Sequence, residues 1–558
     1  MFAFYFFTYS AQTWDWAKTF GGNSYDYGQC ISTDANGNSY VTGYFQSPAI
    51  SFGSTVLTNT DYTNMYIAKF DASGNVVWAK EAVGGGLYYE RGSGIKTDAN
   101  GNSYVTGYFE SPSITFGSFT LTNNGGNSTG DFFIVKYDSS GNVVWARSAG
   151  GTDADDGEAI SLDAMGNVYV IGTFNSPTIT FGSTTLTNAG STFVCDFFIA
   201  KYDSDGNVLW AKRAGGTDDD IGWGIATDAN GNSYVTGSFR SSSITFGSTT
   251  LTNNTTQYED VFVVKYNSSG TVVWAKSYGG NSYDSGWGIS VDGSGNSYVT
   301  GYFQSPTITF GSTTLTNVDN TGFTRDFFIE KNDASGNPVW AKSGGGTDYD
   351  YGFGITTDTN GNSFVIGDFA SASFQLGSYT FHNHDTINFT NDIFIAKYNS
   401  AGTILWADSY GGTNYDGAAS ICRDINGDIF ITGSYASNSI SFGNNTITNS
   451  DTNSTEEIFV AKLNPVTGIN EIENGTNSIS LYPNPTTGIF TLSYNSVRAQ
   501  NFVPLQLLIY DVLGQEVYHQ PINNSTQSTI NVTQLSNGVY FYQLTNNKET
   551  YRGKFVKE

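Results

Sequence analysis

Histidine, cysteine and methionine each occur only three times in 558 residues, and no two cysteines have the spacing of a disulfide or zinc framework. With so few soft ligands a His/Cys metal centre has little to be built from, and neither metal nor cofactor is expected. Basic residues are scarce too: 24 Lys and Arg face 50 Asp and Glu, a formal charge of −26. No basic stripe is left to neutralise phosphates, so nucleic acid is not an expected partner, and anionic membrane surfaces are disfavoured. After residue 11 no apolar run nears the ~20 residues of a membrane span, so no transmembrane segment is expected. Amphipathic helical stripes are missing as well, which leaves an all-β chain.

What fills the chain is repetition. A tryptophan followed by Ala, usually with a basic residue next, recurs at Trp16, Trp78, Trp145, Trp210, Trp274, Trp340 and Trp406, at intervals of 62 to 67 residues. Between tryptophans the same short pieces return in order, each rich in Val, Ile, Tyr, Phe and Thr and bounded by turn formers. In the second unit they are GSGIKTD, SYVTGYF, SPSITFGSFTLTN, DFFIVKYD and NVVWAR. Asp34 and its equivalents open a four-residue turn closed three positions later by Gly37 and its equivalents. A calcium loop would need its glycine at position six and a glutamate at twelve, which D-x-N-G-N does not supply. Lysine near the outer tryptophan strand suits the blunting of an exposed sheet edge.

The tryptophan strand is displaced: its first copy precedes every other element, and the last Phe-Val-Ala-Lys strand has none after it. A closed ring uses that offset, because the amino-terminal strand completes the last sheet. The expected architecture is a seven-bladed β-propeller of four-stranded blades over residues 12–463, with the N-terminal strand closing the last blade.

The run G-I-x-x-D-x-x-G-N-x-Y-V-T-G, followed by D-x-F-I-A-K-Y-D-x-x-G-N-V-V-W, resembles the bacterial SBBP β-propeller repeat. The segment S-P-x-I-T-F-G-S-x-T-L-T-N is an addition to it, alternating like an extra hairpin. Residues 1–11, MFAFYFFTYSA, read as the remnant of a signal peptide cleaved after Ala11, and 464–477 as a polar linker. Residues 478–558 read as six or seven short strands, a small Ig-like sandwich. Their L-Y-P-N-P-x-x-G opening, I-Y-D-x-x-G-Q hairpin, L-x-x-G-V-Y-F strand and basic finish with Lys554 and Lys557 resemble the C-terminal sorting domain of the type IX secretion system of Bacteroidetes. The resemblance implies that this segment engages the secretion machinery, and that the protein passes the periplasm to be secreted or displayed on the outer surface.

The loop after each tryptophan strand, G-G-x-x-x-[DE]-x-G, carries an acidic residue in every unit: Asp26, Glu90, Asp155, Asp220, Asp284, Asp350 and Asp416. Tyr25, Tyr89, Tyr283, Tyr349 and Tyr415 precede five of these, with Trp223 and Trp287 just beyond Asp220 and Asp284. Two roles fit. The carboxylates fix their own loops by accepting backbone N–H bonds. Or they form a ring at the mouth of a central channel, where aromatic faces and acids bind a glycan or cation. Blades 3 and 4 depart from the rest through Asp153, Asp156, Asp218 and Asp219. The three histidines do not recur with the repeat; His382 and His384 read as a solvated loop. Cys30, Cys195 and Cys422 read as small buried residues. The favoured function is a non-catalytic binding or adhesion module for glycan or another extracellular polymer, acting as a monomer. The alternatives are a polysaccharide hydrolase or lyase using paired carboxylates, and a structural surface-layer or biofilm protein without a discrete ligand.

Overall fold

The computed structural model describes residues 13–464 except 127–128, 191–192, 256, 320, 386–389 and 452–454, and residues 479–557 except 483–485, 495–504, 512–514, 523–526 and 546–549. The signal-peptide remnant, and all of the linker except Asn464, lie outside the described residues. Two compact units result, Gln12–Pro465 and one built on Val466–Glu558. Every described element is a strand.

In the first unit seven four-stranded antiparallel sheets follow one another. The second has the usual path: Glu90–Thr97, Ser103–Phe109, Asp131–Tyr137 and Val143–Ala149 pair in chain order. Between its second and third strands a two-stranded hairpin is inserted, Ser113–Phe116 against Phe119–Thr122, the extra element suggested by the S-P-x-I-T-F-G segment. The seventh sheet draws on both ends of the unit. Asp416–Arg423, Ile429–Tyr435 and Glu457–Asn464 are joined by Thr13–Phe20, which runs antiparallel to Glu457–Asn464 with Lys18 opposite Val460.

The sheets pack face to face, and this explains the near-continuous apolar runs of the inner strands. A strand covered on both faces has no side on which to place polar residues. One core cluster combines Phe132 and Ile134 of the second sheet with Val170 and Phe198 of the third. Another joins Trp16, Phe20 and Val460 of the seventh sheet to Val41 and Tyr66 of the first.

The recurring tryptophan is a latch between sheets. Trp78 Nε1 donates to Ser139 O at 3.2 Å in the next sheet, and Trp145, Trp210, Trp274 and Trp340 repeat the contact one sheet further on. Trp16, in the seventh sheet, makes it to Ala72 O of the first at 3.1 Å. The turn glycine beneath each indole is needed twice over. Gly74 has φ +76 to +80-type left-handed geometry (φ 78°), and a Cβ there would come within 2.7 Å of the Trp16 ring. Lys80, in the outer tryptophan strand, is exposed at a sheet edge as expected, whereas the lysine of the third strand has another role. Lys69 is buried on the third strand, donates to the same Ser139 carbonyl at 3.2 Å and lies 5.0 Å from the Tyr40 ring centre. A buried ammonium needs acceptors, and the carbonyl and ring supply them. The Asp34 turn is closed by its own donors: Oδ1 accepts from Asn36 N and Asn38 N, and Oδ2 from Asn38 Nδ2.

The second unit is a two-sheet sandwich. Ile479–Tyr482, Ile489–Tyr494 and Gln527–Asn531 form one sheet; Glu516–Ile522, Leu505–Tyr510, Gly538–Thr545 and Thr550–Lys557 form the other. Its core sets Phe490, Leu492 and Ile530 against Leu507, Ile509, Tyr542 and Phe555. Among the described residues no helix is long and apolar enough to cross a membrane.

Candidate functional site

The first strands of all seven sheets line one cavity of about 340 Å³. Each packs on the next, and Asp26–Thr33 packs against both Glu90–Thr97 and Asp416–Arg423. Every one of these strands carries a β-bulge at the same place. In the first, Gly28 pairs with Gly43 and Cys30 with Thr42, so Gln29 between them has no partner. The glycine opposite is required by this geometry: a Cβ on Gly43 would sit 1.9 Å from Tyr27 O. A bulge re-aims one side chain and leaves it free of the ladder. The seven residues so placed are Gln29, Ser93, Glu158, Trp223, Trp287, Phe353 and Ala419. All but Trp287 line the cavity. The scaffold repeats here while the side chains do not: small or polar residues on three sheets, an acid on one, aromatics on three.

The seven repeated carboxylates do something else. Asp26, Glu90, Asp155, Asp220, Asp284, Asp350 and Asp416 are all completely buried, so they do not form the exposed ring that one of the two sequence readings required. Asp284 shows the pattern. Its Oδ2 accepts from Gly280 N at 2.8 Å and Ser305 Oγ at 2.7 Å, and its Oδ1 from Gln304 N and Ser305 N, both at 3.1 Å. The serine is the first residue of each S-P-type segment, and Ser47, Ser111, Ser176, Ser241, Ser371 and Ser437 play the same part. One carboxylate thereby ties the loop entering the first strand to the loop leaving the second. Burial pushes the Asp284 carboxyl up to about 7, against the pull of these donors. Replacing Asp284 by Ala strands four donors, the two of Ser305 buried, and is expected to lower unfolding free energy by about 2–5 kcal/mol, read by denaturant melts. Ser305→Ala, which removes one donor and leaves the carboxylate, is expected to cost less than half as much.

The aromatic residues divide into two groups. Trp287 stacks on Phe353 at 4.8 Å between ring centres and on Tyr351 at 5.4 Å, meets Trp223 edge-on at 6.4 Å, and packs against Tyr302 at 5.1 Å. Tyr349 extends this surface through Tyr351. Arg325 lies over it, 4.5 Å from the Tyr302 ring centre, with Nη1 donating to Tyr351 Oη at 3.1 Å. Tyr415 is held near Tyr27 and Tyr351. Tyr25, Tyr89 and Tyr283 stand apart: Tyr89 stacks on Tyr62 and Tyr283 meets Tyr258, and no ring contact among the described residues joins them to Trp287. Tyr25 is exposed.

A second group continues the same rim. Arg91 lies 4.3 Å from the Tyr44 ring centre, Tyr44 stacks on Tyr27 at 4.7 Å, and Tyr27 Oη donates to Glu456 Oε1 at 3.1 Å. Asp156 and Glu158 lie beside Arg91, and burial pushes both carboxyls up to about 7 while the guanidinium opposes the shift. Sequence reasoning missed Arg91, Arg325, Glu158 and Phe353 because it looked for what recurs. The signal that marks Glu158 and Phe353 is a variable residue inside a run of small ones, Gly157-Glu158-Ala159 and Gly352-Phe353-Gly354, and the one that marks Arg91 and Arg325 is a rare basic residue where other units have none. Of the cysteines, Cys195 and Cys422 are buried as expected, whereas Cys30 is only half-buried and lines the cavity. His384 is exposed in a loop, as expected, and its Nδ1 meets Asp392 Oδ2 at 2.7 Å.

Residues 480–558 match the secretion system C-terminal sorting domain, and residues 209–238 match the β-propeller repeat family. The carboxy-terminal unit therefore marks the chain for type IX export to the cell surface or extracellular space. An uncharacterized WD repeat-containing protein of Acanthamoeba polyphaga mimivirus is 24% identical over 418 residues, covering 63% of this chain and 30% of that protein. An ulvan lyase of Nonlabens ulvanivorans is 31% identical over 80 residues, 14% of each protein. The chain thus spans less than a third of the length of either relative. Among solved structures, Sqt1 of Chaetomium thermophilum is similar over 78% of this chain and 88% of its own, with 7% identity and a TM-score of 0.36.

Proposed function

We propose that the repeat unit is a closed seven-bladed propeller whose channel mouth binds an extracellular glycan without transforming it. Closure is supported by the strand from the amino end in the seventh sheet and by a cavity lined from all seven sheets. The binding role rests on one observation: the units are near copies, yet the bulge residues differ, with Trp223, Trp287 and Phe353 gathered on three successive sheets and Trp223 and Phe353 lining the cavity. Stacked aromatic faces suit the apolar faces of sugar rings, and the adjoining phenols and carboxyls suit hydroxyls. Export to the outer surface puts such a site among polymers.

Trp287→Ala is expected to weaken binding to any glycan the protein selects on an array by about tenfold or more. Four ring contacts go with it, so some loss of melting temperature is expected, with the fold kept as read by circular dichroism. Unchanged affinity would remove the basis for this reading and leave a structural surface protein in its place.

A hydrolase or lyase is the second reading, favoured by Asp156 and Glu158, two carboxyls held near neutral pKa on one strand. The likeness to an ulvan lyase covers 14% of the chain and lends this reading little. Incubation with polysaccharides and assay for new reducing ends or unsaturated products tests it directly.

A further inference from the structure

We infer that the ligand at this mouth carries a negative group, a carboxylate or a sulfate ester on a sugar, read by Arg91 and Arg325; the inference rests on the glycan reading above. The chain has 50 acidic residues against 24 basic ones, so an arginine placed for stability alone has carboxylates to choose from. Arg213 pairs with Asp196 at 2.8 Å and Arg240 with Asp218 at 3.7 Å, while Arg147, which has no ion pair among the described residues, gives Nη1 to the Ala146 carbonyl, and Arg423 likewise has no ion pair there. Arg91 and Arg325 are half-buried, yet neither forms an ion pair among the described residues. Holding a guanidinium partly out of water without a counter-charge is unfavourable unless an anion arrives there.

Their settings point the same way. Arg325 lies over Tyr302, with Nε donating to Gln304 Oε1 at 3.2 Å and Nη1 to Tyr351 Oη at 3.1 Å; Nη2 has no hydrogen-bond partner among the described residues. Arg91 lies likewise over Tyr44, with the Tyr108 phenol beside it. A stacked guanidinium keeps its plane fixed and offers its edge donors outward, the fork geometry that matches carboxylate and sulfate oxygens. Both belong to one rim: Arg91 is the second residue of its first strand, and Arg325 bonds Tyr351, the second residue of the equivalent strand four sheets on. Acidic neighbours are present. Glu259 accepts from Tyr302 Oη at 3.0 Å and lies near Arg325, and Asp156 and Glu158 lie near Arg91. None reaches ion-pair distance, and burial favours the neutral form of the latter two.

Calorimetry of the full chain with oligogalacturonate and dextran sulfate, against neutral galactan oligomers and dextran, tests the inference. An acidic probe is expected to bind about tenfold or more tightly than its neutral counterpart, with affinity falling as salt is raised. Arg91→Gln and Arg325→Gln are each expected to remove most of that preference, and R325K to restore only part. Neutral probes binding as tightly as acidic ones, or Gln variants keeping the preference, would overturn the charge assignment and leave the glycan reading standing. Failure of every saccharide to bind, with the fold intact by circular dichroism, overturns the glycan reading and this inference together.

Discussion

Deleting residues 13–20 is expected to lower the melting temperature of the repeat unit by more than about 10 °C, or to leave it unable to fold. The strand Thr13–Phe20 covers Glu457–Asn464, whose side chains are buried from Glu457 to Leu463. Without it, one edge of the seventh sheet opens to water. Trp14 leaves a core containing Phe442 and Phe459 and gives up the bond from Nε1 to Tyr410 Oη at 2.8 Å. Trp16 and Phe20 leave the core shared with the first sheet. A buried Trp→Ala change alone costs about 3–5 kcal/mol, and here two tryptophans and a phenylalanine go with a whole ladder of hydrogen bonds. Adding a synthetic peptide of residues 12–22 in trans should restore much of the loss, since the vacated edge is specific in register. A deletion variant that melts like the parent protein would sink the closed ring, because the seventh sheet would then owe nothing to the amino end.

Much of this architecture was readable before any coordinates. The displaced Trp14-Asp15-Trp16 segment foretold where the first strand pairs, because a repeat that starts out of phase must be completed elsewhere. The hairpin at 113–122 showed in its alternation. Roles within the repeat were harder to read. Asp284 and its equivalents drew attention by recurring, yet recurrence is what a loop fastener produces: the partner serine stands 21 residues on, across a hairpin, and no local pattern connects them. The role of Lys69 is invisible in a linear string, because its strand is third of four and covered on both faces. The rim could be found only by asking where copies disagree. Trp223 and Trp287 were noticed as aromatics. Glu158 and Phe353, at the equivalent bulge, were not, since a bulge is a property of pairing between strands and leaves only the weak trace of flanking small residues.

The repeat unit is expected to lose stability as pH rises from 5 to 8, the reverse of a protein held by surface ion pairs. At five junctions between sheets a fastening carboxyl lies beside a second buried acid, Asp416 beside Asp392 among them. Asp155 feels the charge of Asp131, Asp220 that of Asp196, Asp284 that of Asp260 and Asp350 that of Asp326. Burial raises Asp155 to about 7 and Asp131 to about 6, against an ordinary value of 3.8 for each. A carboxyl raised in the folded state binds its proton more tightly there than in the unfolded chain. Its stabilising contribution is therefore full below about pH 4 and is lost as pH climbs through 6 to 7. For Asp131 alone the shift from 3.8 to about 6 corresponds to about 3 kcal/mol at most. With several such junctions in one cooperative unit, a fall in melting temperature on the order of 10 °C between pH 5 and pH 8 is expected. The chain supplies its own control, because the position of Asp131 is occupied by Asn64 at the preceding junction, where the fastening acid is Glu90. Asp131→Asn should accordingly raise the melting temperature at pH 8 more than at pH 5. If the parent protein instead grows more stable with rising pH, the donors around these carboxylates outweigh their burial, and the junctions hold charges rather than protons.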